Sequence, residues 1–146
     1  SMAWKGPGCD SRQVHIQQNI FIVHLIVFSM AKNQDCIFCK IVKKEIPTDF
    51  VAESNNFVAF LDINPKVEGH TLIIPKKHFT NFMDIPSDLA MEMSDMIKKI
   101  AERRLRDGVE GFNVLSNNFP VAGQVVMHAH THFLPRKRGD GLKMAI

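Results

Sequence analysis

An α+β domain with a mainly antiparallel sheet is what this sequence predicts, and three observations predict it. Short apolar runs bounded by turn residues fill the stretch up to Pro75. One long segment, from Ser87 to Arg106, carries apolar residues at helical spacing. Short apolar runs then return after Gly108. Strands, one long helix and more strands do not read as repeated βα units, which leaves helix and sheet segregated. At 146 residues and 45% hydrophobic content the chain can bury one proper core and falls short of two.

The elements follow in order. Ser1 before Met2 reads as a tag remnant, and residues 1–29 as that remnant plus an N-terminal extension, with the domain proper spanning 30–146 from Met30-Ala31-Lys32. The apolar run Ile20 to Phe28, interrupted by His24, is far shorter than the roughly 20 residues a spanning helix needs, so no membrane partner is expected. A secretory signal is the other reading of that run, set against the paired thiols that follow it. Val51 to Ser54 and Phe57 to Asp62 form a hairpin around Asn55-Asn56. Thr71 to Ile74 is a second apolar strand, ended by Pro75, which has no N–H for a ladder. Leu89, Met93, Met96, Ile97, Ile100 and Leu105 make the helical stripe, and Gly108 stops it. That stripe is read as core and given no chemistry. Phe112 to Leu115 and Val125 to Leu134 complete the strands, linked through Asn117, Asn118, Pro120 and Gly123.

The formal net charge of +3 is modest and its basic residues are dispersed, which favours a small anionic ligand over a nucleic acid polymer. Three cysteines, an odd number, argue against a disulfide framework and for a reducing, cytoplasmic setting. Cys36 and Cys39 have the spacing of half a zinc site or of a redox pair, and only further ligands can decide between them.

The residues to weigh beside them are histidines. His128, His130 and His132 alternate over five residues, so an extended strand would set three imidazoles in one row at steps of roughly 6.5–7 Å. Imidazole titrates near neutrality, attacks phosphorus when neutral and donates to phosphate oxygens when protonated. His70, in Gly69-His70-Thr71-Leu72-Ile73-Ile74-Pro75, and His78 add two more.

With Cys36-Ile37-Phe38-Cys39-Lys40-Ile41, Phe60-Leu61-Asp62-Ile63, Gly69 to His78 and Gly123-Gln124 ahead of His128-x-His130-x-His132, the chain resembles the histidine-triad (HIT) family of nucleotide hydrolases and transferases. The likeness runs from Cys36 to Arg136 and is strongest to the nucleoside phosphoramidase branch. It implies a HIT-like fold with a short N-terminal helix beside the long one, and a homodimer. It implies His130 as the nucleophile at the α-phosphorus of a purine nucleotide conjugate, with His132 donating to phosphate and leaving group, and His70 supporting the row. Asn117 and Gln124 would contact phosphate oxygens, Asp62 the ribose hydroxyls, and Ile37, Phe38, Ile41, Phe60 and Ile63 the base. Cys36, Cys39, His78 and His128 would hold a structural zinc ion. Val125 departs from the family pattern, standing where many relatives carry a hydroxyl or acidic residue near the scissile phosphate. Ala129 and Thr131 replace bulkier apolar residues. The activity implied is hydrolysis of purine nucleoside phosphoramidates or adenylate conjugates, through a nucleotidyl-histidine intermediate. Dinucleoside polyphosphate hydrolysis, or nucleotide binding with little turnover, are the alternatives.

Overall fold

The computed structural model describes residues 35–144; the expected extension over 1–29 and the expected start at Met30 lie outside them. Cys36 heads helix α1 (Ile37–Val42), which closes as Lys44 turns to φ 60° and donates its N–H to Ile41 O at 3.0 Å. Strands β1 (Phe50–Glu53) and β2 (Phe57–Leu61) follow as a hairpin, with Ser54 N–H donating to Phe57 O at 2.9 Å across Asn55-Asn56. Next come β3 (Thr71–Pro75), the long helix α2 (Ala90–Arg106), β4 (Gly111–Leu115) and β5 (Thr131–Arg136). The five strands form one sheet in the order β1-β2-β3-β5-β4, antiparallel at every pairing. The expected α+β class, the long helix and the short N-terminal helix are all present.

Both faces of the sheet are covered, which explains why β2 and β3 read as unbroken apolar runs rather than as alternating ones. Phe57 and Ala59 of β2, Ile73 of β3 and Phe133 of β5 pack with Met96, Ile100 and Ala101 of α2. The intervening residues Val58, Phe60, Leu72 and Ile74 pack on the opposite face with Phe38 and Ile41 of α1. The helical stripe is therefore core, apart from Leu105 at its end, which is exposed. Glu92 in the first turn of α2 accepts the N–H and the side-chain amide of Asn56, both at 2.7 Å, and so fastens the helix to the hairpin turn.

The histidine row differs from expectation. The strand predicted over Val125 to Leu134 begins only at Thr131, so His132 lies on β5 while His128 and His130 precede it. Register explains this: Ile73 faces Thr131, so Pro75 falls opposite Ala129, where it has no N–H to extend the ladder. Pro75 O instead accepts the His128 ring N–H at 2.8 Å. Ala129 N–H turns away to Phe79 O at 2.6 Å, and His130 O takes the Ser116 hydroxyl at 3.1 Å. The chain bends through 126–128, and the three rings leave the single row.

Candidate functional site

The bend sends His128 away from its two neighbours. His130 and His132 remain together, ring centres 5.0 Å apart and steeply inclined, in a cleft of about 670 Å³. His70, just ahead of β3, joins them with its Nε2 2.9 Å from His132 Nδ1. Ile37, Phe38 and Ile41 of α1, Phe60 of β2, and Asp62, Ile63 and Asn117 from loops line the same cleft. Ile63 stands at its rim, 91% exposed, whereas Phe38, Ile41 and Phe60 are buried and belong equally to the core.

Hydrogen bonds set which ring nitrogens carry protons. Lys66 N–H donates to His70 Nδ1 at 3.2 Å, so a neutral His70 holds its proton on Nε2. That proton points at His132 Nδ1, which leaves the His132 proton on Nε2, available to an anion. His130 is set the opposite way. Its Nδ1 lies 2.8 Å from the His128 carbonyl oxygen, which can only accept, so the neutral ring keeps its lone pair on Nε2. One ring N–H donor and one ring lone pair thus stand side by side. Asp62 lies near this chain, its Oδ2 3.6 Å from His70 Nε2, while its Oδ1 accepts Asn64 N–H at 2.9 Å. Asp62, His70 and His132 are also close enough to hold a cation. A proton on His70 Nε2 removes that ligand, so the cluster is read as a hydrogen-bonded relay.

Burial, then the neighbouring His130 and His70 rings, push His132 down to about 4 from its ordinary value of 6.5. The His70 ring is lowered too, by burial first. As pH falls, the unfolded chain takes up a proton on His132 near 6.5 while the folded ring resists until about 4. Stability from this residue is therefore complete above pH 6.5 and is lost progressively between 6.5 and 4. A plot of Tm against pH should fall over that window, with a shallower slope in His132→Gln.

The second cluster lies behind His130. Cys36 and Cys39 sit three residues apart at the head of α1, and His78 and His128 close the group, with all four ligand atoms within 4.8 Å of one another. Cys36 Sγ and Cys39 Sγ lie 3.5 and 3.6 Å from His128 Nδ1, and Cys39 Sγ lies 3.3 Å from His78 Nδ1. Ligands about 2.0–2.3 Å from a tetrahedral ion are separated by just such distances. Two thiols and two imidazoles are a soft set that suits such an ion. His128 Nε2–H is held by Pro75 O, so the Nδ1 facing the sulfurs carries the lone pair a metal needs. Burial, and then Cys36 beside it, push the Cys39 thiol up to about 12, so a pair of thiolates here requires a cation between them. The residues fit a metal ion.

Gln124 is placed differently from the expectation of a phosphate contact. It is buried, and its amide is used within the protein: Oε1 accepts Phe119 N–H at 2.8 Å, and Nε2 donates to Thr80 O at 2.6 Å and Val126 O at 3.1 Å. It braces the loop that carries Asn117. In that loop Gly123 turns at φ +89°, a backbone conformation that glycine adopts without strain. Phe119 adopts φ 70° and ψ 153°, a region that nearly only glycine occupies, at a cost of about 1–3 kcal/mol. Its side chain is 53% exposed and packs little. Phe119→Gly should therefore raise Tm by about 3 °C, the strain relieved outweighing glycine's extra chain entropy. Val125 lines the cleft and is 87% exposed, presenting only apolar surface there. Ala129 and Thr131 are buried, Thr131 directing its hydroxyl at Met93 of α2.

Several contributors carry no sequence signal. Lys66 acts through its backbone N–H and Pro75 through its carbonyl, which any residue could supply, and the Ser116 hydroxyl reaches His130 O only through the fold.

Comparison with known proteins agrees with this geometry. The HIT domain family model matches residues 43–139. A HIT-like protein of Methanocaldococcus jannaschii is 47% identical over 106 residues, covering 73% of this chain and 82% of that one. The adenosine 5'-monophosphoramidase of Candida albicans is 43% identical over 114 residues, 74% of each chain. Among solved structures, a zinc-bound histidine-triad family protein from Mycobacterium smegmatis superimposes with a TM-score of 0.70 at 37% identity, covering 76% of this chain and 81% of that one. With its histidines so arranged and its sequence so matched, the chain belongs to the histidine-triad (HIT) family.

Proposed function

We propose that the protein is a nucleotidyl-transferring hydrolase that cleaves at the α-phosphate of purine nucleoside phosphoramidates or other adenylate conjugates. One observation carries this reading: the His130 Nδ1–H is tied to the His128 carbonyl, which leaves Nε2 as a lone pair in a cleft lined by apolar residues and a second, proton-bearing histidine. A neutral imidazole is a competent nucleophile toward phosphorus. His130 Nε2 forms a bond to the α-phosphorus as the bond to the leaving group breaks, and the leaving group departs with the His132 Nε2 proton. Water then cleaves the Nε2–P bond, its oxygen going to phosphorus and a proton returning to His132, which restores both histidines and releases the nucleoside monophosphate. The His132 Nε2–H donates to phosphate oxygens as charge develops. Asp62 meets the ribose hydroxyls, Asn117 the phosphate, and Ile37, Phe38, Ile41, Phe60 and Ile63 the base. Cys36, Cys39, His78 and His128 would hold one zinc ion, and two thiolates with two imidazoles would give it a structural rather than a catalytic role. The phosphoramidase named among the relatives supports this substrate class.

The reading includes a homodimer. Phe112 and Val114 of β4 are exposed at the sheet's edge, with Leu105 of α2 exposed as well. Apolar surface on an edge strand favours covering by a second copy. Light scattering on the eluted protein should give the mass of two chains.

Intact-protein mass spectrometry after brief mixing with an adenosine phosphoramidate tests the chemistry. A transient adduct of one adenylyl group on wild type, absent from His130→Ala, is expected. No adduct and no adenosine monophosphate from wild type would overturn the assignment and favour dinucleoside polyphosphates or binding without turnover.

A further inference from the structure

His128 serves two sites at once. Its Nδ1 faces Cys36 Sγ at 3.5 Å and Cys39 Sγ at 3.6 Å, while its backbone oxygen accepts the His130 Nδ1–H at 2.8 Å. Its ring is pinned at the far end by Pro75 O. Phe38 makes a second connection. It lies between the two cysteines at the head of α1, is buried, and sets its ring near-perpendicular to both His128 and His130, with centres 5.7 and 5.4 Å away. No sheet ladder fixes residues 128–130, because β5 begins at Thr131. Single tethers hold them instead, from Ala129 N–H to Phe79 O and from Ser116 to His130 O. The carbonyl that receives the His130 proton therefore depends on how firmly the His128 ring is anchored.

Resting on the reading of His130 as the nucleophile, we propose that the metal-holding cluster sets the His130 tautomer. Cys36, Cys39, His78 and His128, drawn together on one ion, fix the His128 backbone and the Phe38 ring. These in turn hold the His130 Nδ1–H on the His128 carbonyl and keep Nε2 as the lone pair. His128 is a positioning residue, acting on substrate only through His130, and Phe38 holds the His130 ring in addition to its place in the base-facing wall of the cleft. Groups that orient a reacting residue from behind commonly change activity by about 10- to 100-fold when removed. Turnover then depends on metal occupancy although no metal ligand touches the reacting phosphorus.

The test is long-range proton–nitrogen correlation NMR on the histidine-labelled full chain, recorded zinc-loaded and after chelation at neutral pH, with kcat measured on the same samples. The loaded protein should show His130 as a single Nδ1–H tautomer. Chelation should give a mixture of tautomers and a fall in kcat of about 10- to 100-fold. Cys36→His, which replaces one thiolate by an imidazole and keeps four ligands, should restore both on zinc addition, whereas Cys36→Ala should restore neither. A single, unchanged tautomer with unchanged kcat in folded, zinc-free protein would overturn the proposal. Where chelation unfolds the chain, Phe38→Leu decides: it keeps all four ligands, and an unaltered His130 tautomer in the zinc-loaded variant sinks the coupling. Absence of turnover in the loaded wild type counts against the hydrolase reading alone, because the tautomer comparison still reports on the coupling.

Discussion

Replacing His130 by alanine is expected to lower kcat for a purine nucleoside phosphoramidate by at least ~10³-fold with the fold retained. The size of the effect follows from the separation of duties in the cleft. Through Nε2, His130 supplies the only side-chain nucleophile the proposed mechanism uses, whereas His132, with its proton on Nε2, stabilises charge that the remaining donors can partly accommodate. The structural cost is smaller. The variant leaves the His128 carbonyl without its donor and removes one partner of Phe38, a loss of about 1–3 kcal/mol. A far-ultraviolet spectrum like that of wild type, with turnover abolished, is the expected pair of results. His70→Ala should cost less, since it removes the donor to His132 Nδ1 and leaves the nucleophile intact. Equal losses in His70→Ala and His130→Ala would argue against His130 as the group that becomes covalently modified.

Cys39→Ala should abolish zinc binding and lower Tm by about 10 °C. Structural zinc supplies roughly 10–16 kcal/mol to small fingers that have little else to fold around. This domain has two apolar clusters of its own, so a fraction of that is the appropriate expectation. A quarter is about 3 kcal/mol, which for a domain of this size corresponds to about 10 °C. The loss is concentrated at α1. Beyond its apolar contacts through Phe38 and Ile41, that helix is tied to the rest of the fold by Cys36 and Cys39 facing His128, and by Cys39 facing His78. Elemental analysis should give one zinc per wild-type chain and none in the variant, with the calorimetric transition shifted in parallel. Wild type that carries no zinc and whose Tm does not move on chelation or on zinc addition would show that the four residues pack together without holding a metal ion.

Much of this was determined by the sequence alone. The α+β class, the hairpin at Asn55-Asn56 and the long helix follow from periodicity and turn chemistry, which are local properties of the chain. The residues that gather at the cleft and at the metal-holding cluster could also be named, because the motifs that carry the family resemblance contain them: His70, His130 and His132 line the cleft, and His78 and His128 join Cys36 and Cys39. The family resemblance implied that His128 parts from His130 and His132 to join the metal-holding cluster, and only the tertiary structure shows why. Alternation predicted one row, but Pro75 stops the ladder where Ala129 would join it, and that depends on the register between two strands far apart in sequence. The same holds for the proton positions. Lys66 and His128 set them through a backbone N–H, which every residue but proline has, and a backbone carbonyl, which every residue has, so no side-chain pattern could announce them. Gln124 and Phe119 make the point from the other side. An amide can bind phosphate or brace a loop, and a phenylalanine can take a glycine's backbone angles, but only the folded chain shows that here each does the latter.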